Sequence, residues 1–182
     1  MAKRFETRID GLVLIEPDLH GDERGFLVET FSAAAWREFG VDVQFVQDNH
    51  SRSGRGILRG LHFQTEPGQA KLVRCARGRI FDVAVDLRRG SPTYGEWEGH
   101  ELDDESHRQL FIPIGFAHGF CVLSDFADVN YKVSSYYDPA TERAIAWNDR
   151  DVGVEWPLAS PQTSERDRNA PELAEIADEL AF

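Results

Sequence analysis

Hydrophobic and polar positions along this chain alternate with the two-residue period of strands far more often than they recur with a helical period. The clearest run is Phe81-Asp82-Val83-Ala84-Val85-Asp86-Leu87, where odd positions are large and apolar and even ones polar or small. Asp128–Tyr136 repeats the pattern, with Val129, Tyr131 and Val133 on one face and Asn130 and Lys132 on the other. Reading on the same basis, strands are expected at 11–15, 26–31, 41–47, 56–64, 71–76, 80–87, 96–102, 109–114, 119–123, 128–136 and 143–147. Two helices are expected, one over 33–39 capped by Ser32 and one over 172–180 opened by Pro171. Many short strands without a strand–helix–strand rhythm predict an all-β sandwich or barrel.

Composition narrows the function. At 182 residues the chain has the size of one domain, and no internal repeat or linker divides it. Acidic residues number 32 against 20 basic ones, a net charge of -12, which disfavours nucleic acid and anionic membrane as partners. Only Lys3, Lys71 and Lys132 are lysines, so the basic set is overwhelmingly arginine, the residue that forks onto phosphate oxygens. No apolar run approaches membrane-spanning length, and the N-terminus lacks a signal-peptide pattern. Cys75 and Cys121 sit in separate apolar runs and read as reduced buried thiols, which predicts a cytoplasmic protein.

Two segments place polar groups where a strand core expects apolar ones. In Arg59-Gly60-Leu61-His62-Phe63-Gln64 a regular strand would send Arg59 and His62 to opposite faces, and a bulge at Gly60 would turn both inward. The turn Pro113-Ile114-Gly115-Phe116-Ala117-His118 delivers a histidine into an apolar neighbourhood. Together they outline the cupin double-stranded β-helix, but the metal ligands of that fold are incomplete here. Gln64 replaces a second histidine and Lys71 stands where a carboxylate is wanted, so neither a metal nor another cofactor is expected. Arg59, His62, Lys71 and His118 converging in one place would be costly to bury without a counter-charge, which predicts a pocket for an anionic ligand.

Further runs carry a resemblance over nearly the whole chain, from about Ile9 to Pro171. They include Gly21-Asp22-Glu23-Arg24-Gly25-Phe26, Phe45-Val46-Gln47-Asp48-Asn49-His50-Ser51, Lys71-Leu72-Val73-Arg74-Cys75, Tyr136-Tyr137-Asp138-Pro139 and Trp147-Asn148-Asp149. With the two segments above, they resemble the dTDP-4-dehydrorhamnose 3,5-epimerase family. That resemblance implies a single cupin jelly-roll domain over 1–182 that inverts two carbons of a dTDP-linked 4-keto-6-deoxyhexose, in dTDP-L-rhamnose biosynthesis. It implies His62 as base, Asp167 as its carboxylate partner, Tyr131 as the acid on the opposite face, and Lys71 as the cation near the keto oxygen. Substrate contacts are implied for Arg24, Glu29, Gln47, Asp48, Asn49, Arg59, His118, Tyr137, Glu142 and Arg166, with Tyr137 stacking on the thymine. A homodimer is also implied, the segment bearing Arg24 and Glu29 reaching across to the other subunit. The alternatives are a 3- or 5-monoepimerase and a non-catalytic nucleotide-sugar-binding cupin. His20, His50, His100 and His107 join no constellation and are read as structural or exposed.

Overall fold

The computed structural model describes residues 2–180 and 182. Strands dominate, in two antiparallel sheets and a separate hairpin. In chain order they are β1 (Lys3–Phe5), β2 (Val13–Glu16), β3 (Leu19–Asp22), β4 (Gly25–Val28), β5 (Gln47–Gly54), β6 (Leu58–Gln64) and β7 (Lys71–Arg77). Then follow β8 (Arg79–Asp86), β9 (Trp97–Asp103), β10 (Gln109–Ile112), β11 (Phe116–Val122), β12 (Phe126–Val133) and β13 (Glu142–Ala144). One sheet runs β1-β2-β10-β7-β12-β5 and the other β13-β6-β11-β8-β9, while β3 and β4 pair only with each other. The architecture is all-β, as the alternation predicts, and takes the jelly-roll form that the resemblance implies.

Three apolar clusters fill the spaces around the sheets. The central one draws on both, with Leu14, Val73, Leu110 and Val129 from the first meeting Ile80, Ala84, Phe120 and Val122 from the second. A second cluster covers the outer face of the five-stranded sheet, where Leu61, Phe63, Val83 and Val85 meet Ile145, Val152, Leu173 and Ile176. A third packs Val13, Ile15, Leu72 and Phe111 under Trp36 and Val41. Strand β8 is therefore buried on both faces, and its even-numbered residues, Asp82 among them, point between the sheets rather than to solvent.

Several boundaries differ from expectation. The 41–47 segment alternates like a strand but is not one. Val41 lies within the third cluster with Val43 and Phe45 packed against it, the Val41 amide donates to the Trp36 carbonyl at 3.0 Å rather than to a neighbouring strand, and β5 begins only at Gln47. Helix α1 spans Ala33–Glu38, and Ser32 stands at its cap position in extended backbone without a side-chain cap bond. The C-terminal helix is shorter than expected, with α3 at Leu173–Ile176 and a 3-10 turn at Ala177–Glu179. Helix α2 (Glu165–Arg168) was not expected as an element; its Ser164 side chain accepts from the Asp167 amide at 3.1 Å.

Candidate active site

The bulge at Gly60 builds one wall of the site. His118 of β11 pairs with His62 of β6, yet Phe120 pairs with Arg59, so three steps along β6 answer two along β11. That extra residue lets Arg59 and His62 both line the same cavity. Gly60 has a φ of +140°, and a Cβ there would lie 2.5 Å from the Gly119 Cα, so only glycine fits this approach of the two backbones.

The cavity has a volume of about 660 Å³, within the usual range for a small-ligand site. His62, Lys71, Tyr131 and Asp167 all line it, as do Gln47, Asn49, Arg59, His118, Tyr137, Glu142 and Arg166. Sequence reasoning missed Gln162, Thr163 and Ser164, which arrive on the strap leading into α2. That strap is tied to β6 and the turn before it by the Leu58 amide donating to the Gln162 carbonyl and the Gln162 amide donating to the Gly56 carbonyl, each at 2.8 Å. Farther along, the Ala146 amide donates to the Pro171 carbonyl at 2.7 Å. Asp167 is thus presented from a segment held at both ends.

His62 Nε2 lies 2.7 Å from Asp167 Oδ1. Burial alone would raise the Asp167 carboxyl, but hydrogen bonds from His62, Ser164 and the Gly60 amide, with the His62 charge, bring it below its ordinary value. An ionised Asp167 accepts the Nε2 proton and leaves Nδ1 as the basic nitrogen. Lys71 is 6% exposed and donates from Nζ to the His62 carbonyl at 3.1 Å. Burial pulls its ammonium down from 10.5 to about 8, opposed by Glu142 and then Asp82. Tyr131 packs against the central cluster; burial raises its phenol, Glu142 adds to this and Arg59 opposes it, so it is a protonated donor at neutral pH.

A second histidine pair lies deeper. His118 Nε2 is 2.7 Å from Asp82 Oδ1, and both residues are buried. Desolvation holds the His118 pKa below the ordinary histidine value, against the attraction of Asp82, with Lys71 and His62 adding repulsion. At the rim, Arg166 pairs with Glu142, which also accepts from the half-exposed Tyr137, and the Tyr137 amide donates to Gln47 Oε1 at 3.1 Å. Arg59 donates to Ser53 Oγ at 2.9 Å. Among the described residues, no group of three or more His, Cys, Asp or Glu is arranged to hold a metal ion.

Three expected contact residues are not brought to this cavity. Arg24 lies at the exposed tip of the β3–β4 hairpin, held to Asp22. Glu29 follows β4 and does not line the cavity. Asp48 points to the other face of β5 and pairs with Lys132 at 2.8 Å. Of the other histidines, His50 meets Asp128 and His100 meets Glu98, His107 is buried beside Phe26, and His20 is exposed on β3.

Residues 6–175 match the sequence profile of the dTDP-4-dehydrorhamnose 3,5-epimerase family. The chain belongs to this family. The dTDP-4-dehydrorhamnose 3,5-epimerase of Methanothermobacter thermautotrophicus is 54% identical over 174 residues, covering 94% of each protein. Among solved structures, dTDP-6-deoxy-D-glucose-3,5-epimerase from Legionella pneumophila, in complex with dTDP-4-keto-L-rhamnose, superposes with a TM-score of 0.95. It is 48% identical, with 98% of this chain and 96% of that one covered. A dTDP-4-dehydrorhamnose 3-epimerase of Streptomyces niveus is 45% identical over 93% of this chain and 83% of its own. The 3,5-epimerase family thus includes relatives named for one inversion as well as for two.

Proposed function

We propose that this member of the family is a metal-independent dTDP-4-dehydrorhamnose 3,5-epimerase, a single cupin domain over 1–182 that converts dTDP-4-keto-6-deoxy-D-glucose to dTDP-4-keto-L-rhamnose in dTDP-L-rhamnose biosynthesis. The observation that carries this is the His62–Asp167 pair opening into a cavity also lined by Lys71 and Tyr131. The ketone at carbon 4 acidifies the hydrogens on carbons 3 and 5, because loss of either gives an enolate. His62 Nδ1 takes the proton, the C–H electron pair moves into the new C=C bond, and the carbonyl pair moves onto oxygen. Lys71, as an ammonium, stabilises that oxyanion, so no metal ion is needed for it. Tyr131 then gives its proton to the opposite face as the carbonyl re-forms, and before the second inversion the imidazolium loses its proton to water while the phenolate regains one from water. Asp167 fixes the His62 tautomer and stabilises the imidazolium. The reaction is redox-neutral and asks for no cofactor.

Arg59 supplies cationic donors for the diphosphate, and Tyr137 a ring face for the thymine, with Gln47, Asn49, Glu142 and Arg166 beside it. The hairpin with Arg24, and Glu29 beyond it, supports a homodimer in which these residues complete the other subunit's site. The exposed Phe26 and Leu27 of that hairpin are the apolar surface such an association would cover. Two free, buried cysteines suit a reducing cytoplasm, and no described helix is long and apolar enough to cross a membrane.

The test is incubation of dTDP-4-keto-6-deoxy-D-glucose with chelator-treated enzyme and proton NMR of the product. Ring couplings inverted at both carbons 3 and 5 are expected. Inversion at carbon 3 alone would assign the monoepimerase reading that the Streptomyces niveus relative supports. Unchanged substrate with dTDP bound would leave a nucleotide-sugar-binding protein.

A further inference from the structure

Asp82 has no part in the proton transfers above, yet it is the most completely buried carboxylate near them. It sits on the inward face of β8, in register with Phe120 of β11, and is 0% exposed. One oxygen holds His118 Nε2 at 2.7 Å; the other, Oδ2, has no hydrogen-bond partner among the described residues. A buried carboxylate left half-satisfied is costly unless nearby positive charge compensates it. The cation here is Lys71, whose protonated form Asp82 favours.

We propose that Asp82 is a positioning residue for the epimerisation, which orients His118 with Nδ1 as an acceptor toward the sugar and supports the charge on Lys71. This rests on the epimerase reading of the cavity. The carboxylate can only accept, so a neutral His118 must place its proton on Nε2 and its free lone pair on Nδ1. The surroundings favour that neutral form, because His118 is buried among Lys71 and His62, both repelling an imidazolium, with Asp82 the one opposing charge. Lys71 in turn faces Glu142 from β13, Asp82 from β8, and the histidines of β6 and β11. Losing the Asp82 charge would therefore loosen the His118 tautomer and make the Lys71 proton easier to lose.

Two readouts without substrate test this placement. In ¹⁵N-histidine-labelled wild-type protein, with His118 assigned by its loss in His118→Gln, we expect a neutral ring protonated on Nε2 at pH 7. A proton on Nδ1, or an imidazolium, would overturn the proposal, and this needs no variant to fold. In Asp82→Asn, NMR of the lysine ε-carbons should show Lys71 titrating lower than in the wild type. An unmoved titration would count against it. With substrate, Asp82→Asn should lower kcat by about ten- to hundredfold, the range expected when a buried hydrogen-bond partner is lost, and leave dTDP affinity unchanged. A fall in dTDP affinity matching the fall in rate would mean a merely structural role. Wild-type protein that fails to turn over would instead defeat the epimerase reading, while the two NMR readouts would still decide where Asp82 acts.

Discussion

Two histidines that line one cavity each meet a carboxylate at the same contact distance, and their surroundings give the two pairs different chemistry. His62 meets Asp167 at 2.7 Å and His118 meets Asp82 at 2.7 Å, in both cases through Nε2. The His62 side chain is 27% exposed and that of His118 only 6%. Asp167 collects further donors from Ser164 and Gly60, whereas Asp82 keeps an oxygen without a partner. A ring that must take and release protons needs access and a satisfied carboxylate behind it, and the His62 pair has both. A ring enclosed beside a lysine is better suited to orient a substrate than to ionise. Distance alone does not identify a base; access and the second carboxylate oxygen do.

The largest effect should come from removing the accessible ring. His62→Asn should cut turnover by about 10²–10⁴-fold, the contribution of a general base, while dTDP binding measured by calorimetry stays intact. Near wild-type turnover would erase the distinction between the pairs. Asp167→Asn should also lower kcat, by no more than about 10⁴-fold, because the amide can hold the ring in the wrong tautomer. A loss confined to KM would show that Asp167 only shapes the cavity.

A pH profile sharpens the role of the lysine between the two pairs. Burial places Lys71 near 8, so its charge is present below that value and lost above it. With the ammonium serving the enolate oxygen, kcat should fall as pH rises through about 8. Stability carries the opposite sign. The unfolded chain binds this proton up to about 10.5, so unfolding takes up protons between 8 and 10.5, and the Lys71 contribution to stability rises across that window. An activity limb that persists in Lys71→Met would assign it to another group. The smallest effect is expected at the rim, where Arg59→Ala should weaken dTDP by about tenfold, the worth of one charge-assisted contact, with little change in kcat. Unchanged affinity would remove Arg59 from the diphosphate site.

Much of this was legible in the sequence, and the exceptions share a cause. Period-two alternation reports burial on one face, so it placed Tyr131 inward on β12 with Val129 and Val133, where it packs against the central cluster. The same reading made Val41, Val43 and Phe45 a strand, although they pack at the third cluster without joining a sheet. It also hid Asp82, because a strand covered on both faces has no solvent side for its polar positions to mark. Strand β3 is fully exposed and carries no apolar pattern to read. The Gly60 bulge could be anticipated from the need to turn Arg59 and His62 the same way, and the register across β11 has that form. The strap holding Gln162 and Thr163 could not, since its attachment is made by backbone groups that any sequence provides.

The most direct test of the account is the reaction of dTDP-4-keto-6-deoxy-D-glucose in deuterium oxide, followed at carbons 3 and 5 by NMR for the wild type and Tyr131→Phe. With His62 as base and Tyr131 as the opposing acid, wild type should gain deuterium with inversion at both carbons. Tyr131→Phe should still exchange hydrogen but invert poorly. Equal loss of exchange and inversion in Tyr131→Phe, or no deuterium in the wild type, would contradict the two-sided proton transfer assigned to this cavity.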